Sequence, residues 1–167
     1  NPKSVYGATK LAGEIACLKN CPESIIIRTA CVYSEFGNNF VKTMLRLMSE
    51  RDTLGVVNDQ VGSPTYAADL AQVILTILDS NKWESGIYHY SNAGEISWFD
   101  FAKDIKAIAN KTCDIKGIPA SSYPTPAERP AYSLLDKSKI KAVYGIEAID
   151  YKVSLKIMME RLGEVRS

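Results

Sequence analysis

The chain has 167 residues, 46% of them apolar and 23% charged, the proportions of one ordinary folded domain. Its 20 Lys and Arg against 19 Asp and Glu leave a net charge of +1, without the clustered basic excess of a nucleic-acid binder. No apolar run approaches the ~20 residues that cross a bilayer, and the opening residues do not form a signal peptide.

The first residue is Asn1 rather than Met, so the sequence is expected to be processed or cut from a longer one. Its single histidine, His89, excludes His-rich metal sites. Cys17 and Cys21 stand at helical spacing rather than as C-x-x-C, and Cys31 and Cys113 are isolated. That pattern points to core packing in a reducing compartment and to no metal site.

Pro2 suits the first turn of a helix over 2–19, and Leu11, Ile15 and Leu18 give it one apolar face. Residues 24–33 (SIIIRTACVY) predict a single strand, with the β-branched run Ile25–Ile27 covered on both faces. A turn at 35–38 leads into a helix over 39–51, striped by Phe40, Met44, Leu47 and Met48. A short strand at 54–57 precedes a loop over 58–65, marked by Gly62 and Pro64. The spacing of Leu70, Val73, Ile74, Ile77 and Leu78 predicts a helix over 67–80. A strand follows at 86–91. Ser97 and Asp100 form a capping box that opens a helix to about 109. Residues 113–118 suit a strand, and 119–130 hold four of the seven prolines in a surface loop. Two short helices, 136–144 and 151–162, close an α/β alternation.

Tyr6 and Lys10 lie one turn apart on a single helix face. A phenol ordinarily titrates near ~10, and a neighbouring ammonium favours its ionised form. The pair therefore suits proton donation, although the same spacing also arises on plain exposed helices. No two of the ten glycines stand closer than six positions, so the chain carries no Gly-rich phosphate loop. Polar loops at Gly37–Asn39, Asn58–Gln60 and Glu128–Arg129 follow apolar segments, where open α/β sheets bind ligands. Arg129 has the fork to grip a phosphate, although ordinary turn chemistry for the Asn residues and a solvated charge for Arg129 explain the loops at least as well. Trp83 and Trp98 suggest core or rim packing, and His89 a packed or surface position. Cys31 ends the first strand, a place for either a buried inert thiol or a site residue.

Together these segments resemble the extended short-chain dehydrogenase/reductases, and within them the dTDP-4-dehydrorhamnose reductase family. Tyr6-Gly7-x-Thr9-Lys10-Leu11-x-Gly13-Glu14 carries the likeness. It continues through Arg28–Tyr33, Gly37–Met44, Asn58-Asp59-Gln60-x-Gly62-x-Pro64-Thr65, Gly86–His89 and Tyr123-Pro124-Thr125-Pro126-Ala127-x-Arg129-Pro130. The resemblance implies the C-terminal part of such an enzyme over residues 1–167: the end of a Rossmann sheet plus a small α/β substrate-binding region. The Gly-rich dinucleotide-binding half, with the family's catalytic Ser or Thr, would lie outside this sequence.

The implied reaction is reduction of the C4 ketone of dTDP-4-dehydro-L-rhamnose by NADPH or NADH, in the cytoplasm, with a homodimer left open. Tyr6 would protonate the C4 oxygen. Lys10 would tune Tyr6 and hold the nicotinamide ribose, with Thr29 and Ala30 beside the ring. Asn38, Asn39 and Phe40 would meet the nucleotide-sugar phosphates, and Gln60 and Arg129 the substrate. The family usually has Trp where this chain has Cys31, packed against the sugar. Tyr33, two residues further along a strand, is the expected filler of that space. Two alternatives remain: a non-catalytic nucleotide-sugar-binding or regulatory subunit of the same fold, and a 4-ketoreductase for another nucleotide sugar.

Overall fold

A computed structural model describes residues 2, 4–125 and 129–164. Lys3 of the first predicted helix and Pro126, Ala127 and Glu128 of the proline-rich loop lie outside the described residues.

Helix α1 spans Val5–Asn20. Its N-cap is Ser4, whose hydroxyl accepts from the Gly7 amide at 3.1 Å. The helix thus begins three residues later than Pro2 predicts, because a hydroxyl cap satisfies an amide that a proline only omits. Strand β1 (Ile25–Arg28) follows, and β2 is only Val32–Tyr33. The predicted strand over 24–33 is broken at Cys31, whose φ of 52° lies in the left-handed region. The expected full cover of the isoleucine run is also absent, since all four β1 residues are half-buried.

Helix α2 (Phe40–Glu50) is capped by Asn39, whose side chain accepts from the Lys42 amide at 3.2 Å. Strand β3 (Thr53–Val57) leads to β4 (Val61–Gly62) and β5 (Thr65–Tyr66). The predicted loop over 58–65 therefore contains strands. Both find partners far away in sequence, which no local periodicity reveals. Helix α3 (Ala67–Asp79) and strand β6 (Gly86–His89) come next. Strand β7 (Ile96–Ser97) runs into helix α4 (Trp98–Ile108), opened by the predicted box: Ser97 Oγ lies 3.0 Å from the Asp100 amide and 2.7 Å from its carboxylate. Strand β8 (Asp114–Ile118), a 3₁₀ turn at Ala120–Ser122, and helices α5 (Ser138–Tyr144) and α6 (Tyr151–Arg161) complete the chain.

The pairs β1–β6, β2–β5 and β3–β8 are parallel, and β4–β7 is antiparallel. Two cores result. The larger joins α2, β3, α4 and α6 around Tyr33, Tyr66, Phe101 and Leu155. The smaller packs α3, β6 and α5 around Val73, Ile77, Tyr88 and Ile140, with Ile25 and Ile27 of β1 against it. Cysteine core packing holds only for Cys113; Cys17 and Cys21 are exposed, and all four thiols are free.

Among the described residues, no helix is long and apolar enough to cross a membrane. Nor, among them, do three or more His, Cys, Asp or Glu gather to hold a metal ion.

Candidate active site

Helix α1 returns antiparallel along β1. Cys17 Sγ lies 3.3 Å from Ser24 Oγ at one end, and Glu14 grips Arg28 with two bonds of 2.8 and 2.5 Å nearer the other. Beyond Glu14, at ~1.5 Å per helical residue, Lys10 lies about 6 Å and Tyr6 about 12 Å further on. Beyond Arg28, Thr29 and Ala30 continue about 3 to 7 Å in the same direction before the left-handed turn at Cys31. By this count the Tyr6–Lys10 pair lies on the side of Thr29 and Ala30, past the C-terminal end of β1. This is the end where open α/β sheets bind ligands. Lys10 Nζ stands 5.7 Å from the Tyr6 ring centroid. Tyr6 is 70% exposed, so its hydroxyl is open to a reacting partner.

A cavity reaches this end at Cys31, and a second adjoins that cavity. The smaller, about 220 Å³, is lined by Cys31, Gln60–Pro64, Ile96–Trp98, Phe101, Arg129, Pro130 and Ser133. The larger, about 590 Å³, lies over α2 and β3 and includes Phe40, Thr43, Leu47, Arg51, Tyr123 and Thr125. Gln60, Trp98 and Arg129 line both, so the two spaces share a wall.

That wall is built by strand additions. The Val61 amide donates to Ala131 at 2.8 Å and the Ser133 amide to Val61 at 2.9 Å, which pins the chain after Arg129 against β4. A Cβ on Gly62 would stand 2.7 Å from Ser133 Oγ, so a side chain there would force the Ser133 hydroxyl to turn away. On the other side of Gln60, the Asp59 carboxylate accepts from the Ala120 amide at 2.9 Å.

The predicted site residues divide accordingly. Cys31, Gln60 and Arg129 come together in the smaller cavity, and Phe40, Gln60 and Arg129 in the larger. Asn38 is exposed and lines neither. Besides capping α2, the Asn39 side chain donates to the Ser34 carbonyl at 2.7 Å, so both amide atoms are committed to the turn.

The expectation that Tyr33 fills the space beside Cys31 fails. Tyr33 is 2% exposed, stacked on Tyr66 at 5.6 Å and edge-on to Phe101 at 5.8 Å. The left-handed backbone at Cys31 ends the two-residue alternation on which that expectation rests. The aromatic surface in the cavity instead comes from α4, through Trp98 and Phe101. Trp98 is held 4.8 Å from the Phe40 ring. A tryptophan directly after a capping serine gave no local sign of a binding role. Burial pushes the Cys31 thiol up to about 11 against the opposing charge of Arg129, so at neutral pH it is a neutral wall rather than a nucleophile.

An α/β fold with Tyr-x-x-x-Lys on its first helix and an apolar cleft edged by Gln60 and Arg129 is the pattern of the substrate-binding portion of an extended short-chain dehydrogenase/reductase. The family model described as the RmlD substrate binding domain matches residues 1–164, and the chain belongs to that family. It is 44% identical over 166 residues to the dTDP-4-dehydrorhamnose reductase of Aggregatibacter actinomycetemcomitans, covering 93% of this chain and 56% of that protein. A solved dTDP-4-dehydrorhamnose reductase from Clostridium acetobutylicum superposes with a TM-score of 0.93 at 39% identity, covering 98% of this chain and 57% of that one. The Bacillus anthracis reductase solved in complex with NADP gives 0.90 at 36% identity, over 96% and 56%. The chain thus spans little more than half the length of these relatives.

Proposed function

We propose that this chain supplies the substrate-binding part and the proton donor of an NAD(P)H-dependent reductase acting on the C4 ketone of dTDP-4-dehydro-L-rhamnose. The observation that carries the reading is the pair of cavities joined through Gln60, Trp98 and Arg129, the smaller walled in part by Cys31, three residues past β1. A nucleotide sugar has two unequal parts joined by a diphosphate. The larger cavity suits the nucleoside, the smaller the sugar, and the Arg129 guanidinium on the shared wall suits the phosphates between them.

The reduced nicotinamide would supply hydride. Among the described residues, Lys10 would hold the nicotinamide ribose, with Thr29 and Ala30 beside the ring. A phosphate-cradling glycine loop is not part of this sequence. Tyr6 would deliver its phenolic proton to the C4 oxygen as negative charge develops there, and Lys10 would favour the phenolate left behind. Cys31, Trp98 and Phe101 would exclude water from the sugar face. Asn39 holds the turn before α2 rather than touching ligand, which leaves Phe40 as the contact from that segment. The family likeness adds a cytoplasmic setting and pairing with a second copy as further parts of this proposal.

The test joins this chain to its dinucleotide-binding half and follows NADPH oxidation with dTDP-4-dehydrorhamnose as substrate. Turnover is expected, and Arg129→Ala should raise KM roughly 10-fold with a smaller change in kcat. No turnover of this sugar, with turnover of another nucleotide 4-ketosugar, would move the assignment to that substrate. No turnover of either would favour the non-catalytic alternative.

A further inference from the structure

Three consecutive residues of the proposed site, Thr29, Ala30 and Cys31, are held by one residue outside it. Thr65 is fully buried in β5 and lines neither cavity. Its hydroxyl donates to the Ala30 carbonyl at 2.5 Å and accepts from the Thr29 hydroxyl at 3.1 Å. Its amide donates to the Cys31 carbonyl at 3.1 Å.

The segment needs such support. Cys31 is a non-glycine residue at a φ of 52°, a conformation that persists only where the surroundings over-determine it. The break it makes also takes the Ala30 carbonyl out of the regular ladder, because β1 pairing ends at Arg28 and β2 pairing resumes at Val32. A half-buried carbonyl left without a donor loses hydrogen-bond energy. The Thr65 hydroxyl is the donor that meets it, and the Thr29 hydroxyl completes a short chain of bonds.

We infer that Thr65 is a positioning residue of this active site: its hydroxyl fixes the left-handed kink that turns Cys31 into the smaller cavity and keeps Thr29 and Ala30 on the side of Tyr6. Serine at this position would preserve the chain of bonds. Valine would preserve the shape and lose it. The consequence for turnover rests on the reductase reading above; the consequence for the kink does not.

Two measurements separate these. In the Cys17→Ser, Cys21→Ser background only Cys31 and the buried Cys113 remain, and iodoacetamide modification of Cys31 is followed by peptide mass. Thr65→Val should raise that rate roughly fivefold or more, as the half-buried thiol is released, while Thr65→Ser stays within about twofold of the parent. An unchanged rate in a folded Thr65→Val protein overturns the inference, whatever the site binds.

In the protein joined to its dinucleotide-binding half, Thr65→Val should lower kcat roughly 10- to 100-fold. KM for the sugar nucleotide should stay within about threefold, because no residue of the kink lines the nucleoside cavity. Thr65→Ser should restore most of kcat. Equal losses in the serine and valine variants, or a change confined to KM, overturn the positioning role. A parent without reductase activity sinks the functional reading alone, and alkylation still decides the role of Thr65. If Thr65→Val does not fold, Thr65→Ala carries the same expectations in both measurements.

Discussion

The region built on α1 and β1 and the region built on α2, β3, α4 and α6 are packed to very different degrees. No residue of α1 is buried, and Ile15, on its predicted apolar face, is 58% exposed. In the other region Ala102, Ile105, Leu155, Met158 and Met159 are at 0% exposure. The α1 region presents the candidate proton donor on a helix tied to β1 mainly by the Glu14–Arg28 pair. The other presents the cavities on a dense aromatic core. In the proposed enzyme this is a division of labour: binding rests on rigid packing within this chain, and chemistry rests on an element whose other side is left for further structure to cover.

The sharpest way to break that comparison is to truncate one side chain in each region. Leu155→Ala should cost about 2–5 kcal/mol of unfolding free energy, since it opens a hole in a fully buried core. Ile15→Ala should stay within about 0.5 kcal/mol. Similar losses in a denaturant titration would show that α1 is as tightly integrated as the core.

Next in size is the chemistry. In the protein joined to its dinucleotide-binding half, Tyr6→Phe should reduce kcat roughly 100-fold or more. Binding of dTDP, followed by fluorescence of Trp98 in a Trp83→Phe background, should change by less than about twofold. Undiminished turnover would remove Tyr6 as the acid, and a large loss of dTDP binding would remove the separation between the two regions.

The smallest effect concerns the tie itself. The bidentate hydrogen bond from Arg28, helped by its charge, holds the Glu14 carboxyl below its ordinary range. A depressed carboxyl adds stability above its unfolded value, ~4.3 for glutamate, and loses it as pH falls through the lower folded value. Arg28 is partly exposed, so solvent screening limits the contribution to about 0.2–1 kcal/mol. Glu14→Gln should therefore lower stability slightly near neutrality and flatten the acid limb below about pH 4, with little change for the core. An identical acid limb in parent and variant would show that the pair contributes nothing to docking α1.

The amino-acid sequence by itself determined the helices, though not the start of α1. The stripe of α2 follows from its 3.6-residue period. The capping box at Ser97 and Asp100 is a bond set between residues three apart, and the Tyr6–Lys10 face is one helical turn. All of these are local, so a local pattern suffices to read them. The motif strings likewise marked Gln60 and Arg129, which the fold brings into one wall from positions far apart in the chain.

Tertiary structure alone decided the rest. The break at Cys31 depends on Thr65, 34 to 36 positions away from the residues it holds. Strands β4 and β5 exist because β7 and β2 pair with them. Trp98 became a cavity wall, and Tyr33 a core residue, only when the kink and the arrival of the chain after Arg129 fixed which faces were covered. Hydrogen bonds and burial between distant segments set those outcomes, and periodicity within a dozen residues carries no record of them.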